Sequence, residues 1–207
     1  MYAKNTWEKY KDQLNEVFDY NEGYKYYISK NKTERACVKD SIKLAKEKGF
    51  KPLASFDTLK SGDKVYVTNR GKNIALFIIG KKPLTEGMRI LGAHIDSPRM
   101  DLKQNPLYES EGFTLADTHY YGGIKKYQWV TIPLSLYGVV CKKDGTVVDV
   151  VIGEDENDPV VGISDLLIHL SADQLDKKAA KVIEGENLDV TLGNMPLFGE
   201  EKDAVKA

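Results

Sequence analysis

The chain has 207 residues, of which 42% are hydrophobic and 29% are charged. This hydrophobic content is enough for a folded core and excludes global disorder. Thirty Lys and Arg against 31 Asp and Glu give a net charge of −1, so nothing favours nucleic-acid binding by phosphate attraction. The longest apolar run, Ile74–Ile79, is far shorter than the roughly 20 residues that a membrane span needs. The N-terminus lacks the pattern of a signal peptide, and two distant cysteines suit a reducing compartment. The sequence therefore predicts a soluble, cytoplasmic, mixed α/β protein.

The first 50 residues are predicted to be helical, because apolar side chains recur there at helical spacing. The first set comprises Trp7, Tyr10, Leu14, Val17 and Phe18. Gly23 is predicted to interrupt this pattern. A second helix is predicted to begin at Asn31, where Glu34 would complete a capping box, and to end at Gly49.

Three strands are predicted in the next part of the chain. Lys64–Thr68 and Asn73–Ile79 flank a polar turn and should form a hairpin. Asn73–Ile79 is apolar on both faces, which predicts a buried strand. Met88–His94 is predicted as the third strand, so that helices and strands together indicate the first half of an α/β layer.

The region after residue 100 has the character of a separate, β-rich unit. Two β-rich runs, Pro133–Cys141 and Thr146–Ile152, flank Lys142–Gly145, whose Asp-Gly pair predicts a hairpin. The acidic stretch 154–158 is expected to be a solvated loop. The last residues, 200–207, have the composition of a helix start without a stop signal, which predicts that the sequence breaks off inside an element; a frayed tail is the alternative.

His94 and Asp96 form the sharpest local feature, at the end of the third predicted strand. Residues two apart on a strand lie on the same face. A metal-bound histidine commonly donates its second ring N–H to a carboxylate, which fixes the tautomer. The pair therefore suits a metal site, although the spacing alone favours a simple hydrogen-bonded His-Asp pair in a loop.

The other two histidines have simpler interpretations from the residues alone. His119 lies in Thr118–Gly123, which resembles an aromatic-flanked turn with glycines that permit positive φ. His169 stands between Ile168 and Leu170 and is expected to be a half-buried core residue. Ser97 lacks the elbow sequence that marks a nucleophilic serine.

Three sequence blocks carry a family resemblance. Leu91–Pro98 is similar to the first metal motif of the aspartyl aminopeptidase and aminopeptidase I family of two-metal peptidases. Tyr120–Ile124, followed by Trp129 and Pro133–Gly138, resembles the next block of that family, and Val161–Leu170 resembles a third. Three blocks in the family's order are much more specific than the His-Asp spacing.

The resemblance implies an α/β catalytic domain that is interrupted by an inserted β-rich dimerisation domain. Residues 1–100 would be the N-terminal part of the catalytic domain, and residues 101–207 an incomplete dimerisation domain. By the same resemblance His94 binds metal, Asp96 supports it, and His169 stabilises the transition state in the neighbouring subunit's active site. A complete active site would hold two zinc ions, although cobalt or manganese would also suit such ligands. No catalytic role follows for His119.

The family's remaining metal ligands, its general-base glutamate and its substrate clamps lie in a C-terminal half with no counterpart here. Glu184, Glu186 and Asp189 stand in no ligand motif. The resemblance thus implies part of a metal-dependent aminopeptidase that acts on peptides, as a homodimer that assembles into a dodecamer. No nucleic-acid or membrane partner is expected, because the charges nearly balance and the longest apolar run is short.

Two other functions remain open from the sequence. The chain could be a natural short form that acts as a non-catalytic dimerisation or regulatory module. A weaker alternative is a small-molecule-binding protein that uses its tyrosine-rich surface. The preferred N-terminal residue of a substrate does not follow from these blocks.

Overall fold

A computed structural model describes residues 5–199, and the chain divides into two compact units between Ser97 and Pro98. The mixed α/β class is as predicted. The assignment of the two units to catalytic and dimerisation domains stays a prediction. No helix among residues 5–199 is long and apolar enough to cross a membrane. The helix start predicted at 200–207 lies outside the described residues.

Helices open the first unit. They are α1 (Thr6–Lys9), α2 (Leu14–Lys30) and α3 (Glu34–Glu47). The predicted interruption at Gly23 is wrong, because that residue lies inside α2. A single glycine costs a helix only about 1 kcal/mol relative to alanine, which the rest of a long helix can offset.

The second predicted helix has a different N-terminal cap from the one expected. Thr33 caps α3, since its Oγ1 accepts a hydrogen bond from the Ala36 amide at 3.3 Å. Asn31 instead follows the end of α2, and its side-chain amide donates to Asp40 at 3.0 Å. Gly49 has a φ of +83° just after α3, which confirms the predicted end.

A small three-stranded sheet packs against α3 in the first unit. Its strands are β1 (Lys51–Pro52), β2 (Lys64–Asn69) and β3 (Asn73–Ile78), in that order. β1 runs parallel to β2, while β2 and β3 form the predicted antiparallel hairpin. Val38 of α3 and Val65 of β2 are almost fully buried.

Two predictions about this sheet are wrong. β3 is not buried: Ile78 keeps 66% of its surface exposed, and β3 is the edge strand of its sheet. Met88–His94 is not a strand, although it is apolar, because it pairs with no neighbour within residues 5–199. Leu91 in that segment is fully exposed. A strand needs a hydrogen-bonded partner, which an apolar pattern by itself does not supply.

The described part of the second unit, residues 98–199, contains seven strands. They are β4 (Arg99–Ser110), β5 (Phe113–Tyr121), β6 (Pro133–Leu134), β7 (Leu136–Cys141), β8 (Val147–Ile152), β9 (Val161–Gly162) and β10 (Val190–Gly193). Five of them form one sheet in the order β4-β5-β10-β9-β6, while β7 and β8 form the hairpin predicted around Lys142–Gly145. A short helix, α4 (Ala172–Leu175), follows β9.

The core of the second unit lies against the five-stranded sheet. Its buried members are Ala116, Val130, Val161, Ile163, Ile183, Leu188 and Val190. Leu188 is completely buried, and its carbonyl oxygen accepts a hydrogen bond from the buried Thr118 hydroxyl. The segment between β9 and α4 therefore begins at a residue that is buried in this core, Ile163.

Candidate functional site

His94 and Asp96 meet in a segment of the first unit that has no regular secondary structure. The His94 Nδ1 atom lies 3.1 Å from Asp96 Oδ1 and 3.1 Å from the Asp96 main-chain oxygen. The predicted pairing is therefore present, although it forms in a loop and not at a strand end. Asp96 is partly shielded, whereas the His94 side chain is 86% exposed.

The pair fixes the tautomer of His94. An ionised carboxylate and a main-chain carbonyl only accept hydrogen bonds, so Nδ1 must carry the hydrogen. In the neutral imidazole Nε2 then has the free lone pair that a metal ligand requires. His94 is thus suited to be one metal ligand, and Asp96 to be the carboxylate that supports it.

A complete metal site does not form within residues 5–199. No three His, Cys, Asp or Glu side chains of this region come together in an arrangement that could hold a metal ion. A zinc ion takes about four ligands. His94 can therefore contribute to a site that needs further ligands.

His169 lies in the second unit and is exposed. The expectation of a half-buried core histidine is wrong, because the segment turns through a short 3₁₀-helix, Ile168–Leu170, at the surface. Its apolar neighbours are exposed too, Leu167 and Leu170 at 70% each. Apolar side chains that cluster at a surface are typical of protein–protein or membrane interaction sites and of ligand-binding grooves.

Two polar residues that sequence reasoning missed hold this segment at its base. Asp165 Oδ1 accepts hydrogen bonds from the Leu166 amide at 2.8 Å and from the Gln174 side-chain amide at 2.9 Å. Nothing in the local sequence pattern signals this bond, because the partners are nine residues apart in a stretch without regular periodicity.

His119 lies in β5 and not in a turn, which corrects the prediction for that residue. Its ring is exposed and stacks on Tyr120 with centroids 5.6 Å apart. The predicted turn begins only at Gly122, whose φ is +83°.

The acidic residues near the end of the described chain have structural partners. Glu186 accepts a hydrogen bond from Lys103 at 2.8 Å, and Asp189 accepts one from the Tyr108 hydroxyl at 2.6 Å. Burial and the bond to Asp189 raise the pKa of Tyr108 to about 12.

Comparison with known proteins identifies relatives along nearly the whole chain. The family model described as aminopeptidase I zinc metalloprotease (M18) matches residues 27–206. A probable M18 family aminopeptidase 1 from Clostridium acetobutylicum is 59% identical over 98% of this chain and 45% of its own length. The chain thus spans about half the length of the curated relatives it matches.

Solved structures show the same similarity. The crystal structure of an M18 aminopeptidase from Thermotoga maritima has a TM-score of 0.91 and 45% identity, covering all of this chain and 45% of that one. A dodecamer from S. cerevisiae, 22% identical with a TM-score of 0.63 over 84% of this chain and 38% of that one, shares the fold. The match over residues 27–206 and these relatives show that the chain belongs to the M18 family of aminopeptidase I zinc metalloproteases.

Proposed function

We propose that this chain forms part of a cytoplasmic metalloaminopeptidase that removes N-terminal residues from peptides. The observation that carries the proposal is the His94–Asp96 pair, whose geometry leaves one ring nitrogen available for a metal ion. Membership of a family of zinc aminopeptidases supports the same chemistry. The proposal names zinc, with two ions in a complete active site, and the same ligands would also suit cobalt or manganese.

His94 binds one of the metal ions through Nε2, and Asp96 holds the imidazole in that tautomer. When bound, zinc lowers the pKa of a coordinated water and so supplies a nucleophile for peptide hydrolysis. The chain itself contributes orientation: Nδ1 is held by two acceptors, so the ring cannot rotate without losing both hydrogen bonds. The remaining ligands and the general base lie outside the described residues.

His169 donates a hydrogen bond to the oxyanion that forms at the scissile carbonyl of a neighbouring subunit's substrate. The exposure of the histidine and of the apolar side chains around it supports this role, because a second subunit can cover such a surface. In this proposal the first unit belongs to the catalytic domain and the second is an inserted dimerisation domain. The dimers assemble into a larger homo-oligomer, as the yeast relative does in its dodecamer.

A metal measurement on the full-length protein tests the proposal. His94→Ala should lose one metal ion per subunit and most of the activity, as determined by elemental analysis and hydrolysis of aminoacyl amides. His119→Ala is the matched control, because it also removes an exposed histidine but one that we place outside the site. Unchanged metal stoichiometry in His94→Ala would show that this histidine is only structural.

A non-catalytic module is the second candidate function. It is favoured by the lack of any three-ligand cluster within residues 5–199. The 207-residue chain, incubated with zinc and with N-terminal Asp, Glu and Leu amides, should give no turnover under either candidate. The downstream coding sequence distinguishes them: further Asp, Glu-Glu and His motifs in frame support the enzyme, and a stop codon after residue 207 supports the module.

A further inference from the structure

The surface loop that carries His169 is anchored on both sides. We call residues 166–173 the His169 loop. Before it, Ile163 is buried, and its carbonyl oxygen accepts a hydrogen bond from the Thr131 amide at 2.8 Å. After the 3₁₀-helix, Ser171 is 3% exposed, and its hydroxyl donates to the Ile168 carbonyl at 3.1 Å. The exposed 3₁₀-helix therefore lies between two buried residues, Ile163 and Ser171.

Packing within the subunit does little to hold the tip of this loop. Leu167, Ile168 and Leu170 each expose 66–70% of their surface. Burial of apolar surface is the main source of conformational stability, so these side chains contribute little to the shape of the loop in the isolated subunit. Hydrogen bonds must therefore supply the order. They comprise the bond from the Leu170 amide to the Leu167 carbonyl at 2.8 Å within the loop and the side-chain bonds at its base.

One carboxylate oxygen makes the bonds that close the base. Asp165 Oδ1 accepts from the Leu166 amide, where the loop begins, and from Gln174 in α4, where it ends. Hydrogen bonds to an ionised acceptor are about twice as strong as neutral ones. The pair Asp165–Gln174 thus joins the two ends of the segment that presents His169.

We propose that Asp165 and Gln174 are positioning residues that hold His169 in the geometry needed at the neighbouring active site. The inference rests on the proposed function of His169. A donor that stabilises an oxyanion must be in place before the charge develops, and misplacement by about 1 Å can cost 10²-fold in rate. The two residues act through the loop and do not touch the substrate.

Four variants of the full-length protein test the pair. Asp165→Ala removes the acceptor, and Gln174→Leu removes the donor while keeping the length of the side chain. Asp165→Asn keeps an acceptor oxygen at position 165, and Gln174→Lys keeps a donor nitrogen at position 174. Asp173→Asn is the control, since it alters another exposed carboxylate of the same loop that does not bond to Asp165.

Two readouts separate a positioning role from a merely structural one. Hydrogen exchange of the amides in 166–170 should accelerate by about tenfold in Asp165→Ala and Gln174→Leu. In the same variants kcat should fall by about 10- to 100-fold with KM nearly unchanged, because the lost interaction acts in the transition state. Gln174→Lys and Asp165→Asn should recover most of both properties, and the control should match wild type.

The outcomes distinguish this inference from the proposed function. Full kcat in His169→Ala would overturn the proposed role of His169 and this inference with it. Reduced kcat in His169→Ala, combined with wild-type kcat in Asp165→Ala and Gln174→Leu, would overturn this inference alone. Thermal unfolding of each variant checks that the second unit remains folded.

Discussion

Asp96→Asn tests the supporting role of the carboxylate, and its effect can be worked out from the hydrogen bonds of His94. Nδ1 has two acceptors at 3.1 Å, the Asp96 side chain and the Asp96 main-chain oxygen. The substitution removes the negative charge but leaves the main-chain oxygen in place. The tautomer that exposes the Nε2 lone pair is therefore retained.

The magnitude follows from this retained bond. Loss of a residue that supports a metal ligand typically weakens metal binding 10- to 100-fold. Because half of the support for His94 Nδ1 remains in Asp96→Asn, we expect the lower end, about a tenfold higher Kd or about 1.4 kcal/mol. His94→Ala removes the ligand itself and should have the larger effect.

Competition with a chromophoric zinc chelator measures this difference in the full-length protein. Asp57→Asn is the control, since it neutralises an exposed carboxylate of the same unit that is not one of the two acceptors of His94 Nδ1. Loss of a whole metal ion per subunit in Asp96→Asn would show that Asp96 is itself a ligand. Unchanged affinity would show that the carboxylate does not support a metal-bound histidine, and would refute the reasoning.

Three further predictions concern the second unit. Leu188→Ala should lower its free energy of unfolding by about 2–5 kcal/mol, because the side chain is completely buried; urea denaturation measures this. Gly185→Ala should cost about 1–3 kcal/mol in the same assay, since the new Cβ would lie 2.7 Å from the Tyr120 ring. Burial, followed by the bond to Asp189, raises the pKa of Tyr108 from 10.0 to about 12. The neutral phenol is thus favoured in the folded state, so its contribution is complete below pH 10 and lost as the pH rises towards 12. Tyr108→Phe should remove that part of the alkaline pH dependence, and an unchanged profile would contradict the assignment.

Local chemistry made parts of the fold predictable from sequence. The hairpin around Lys142–Gly145 has its Asp-Gly turn with Gly145 at a φ of +85°, and Gly49 ends α3 in the same left-handed region. These features depend on a few adjacent residues. The sequence pattern does not reveal the strands of the long hairpin β4–β5. Its register shifts between Leu102 and Leu107, and this irregularity breaks the two-residue alternation of side chains.

Long-range partners explain the remaining differences. Met88–His94 has the apolar pattern of a strand, yet pairing depends on a neighbour that the pattern cannot reveal. The exposure of His169 follows from the 3₁₀-turn at the surface, and the bond between Asp165 and Gln174 spans nine residues without a periodic signal. The close approach of His94 and Asp96, in contrast, follows from their spacing of two residues.

Complementation between two inactive full-length variants tests the central claim most directly. His94→Ala keeps the histidine that serves the neighbour, and His169→Ala keeps the metal ligand. If His169 acts across the subunit interface, random mixed dimers hold one intact site each, and activity should return to about a quarter of wild type. No recovery, under conditions in which labelled subunits demonstrably exchange, would contradict the account of His169 as a residue of the neighbouring active site.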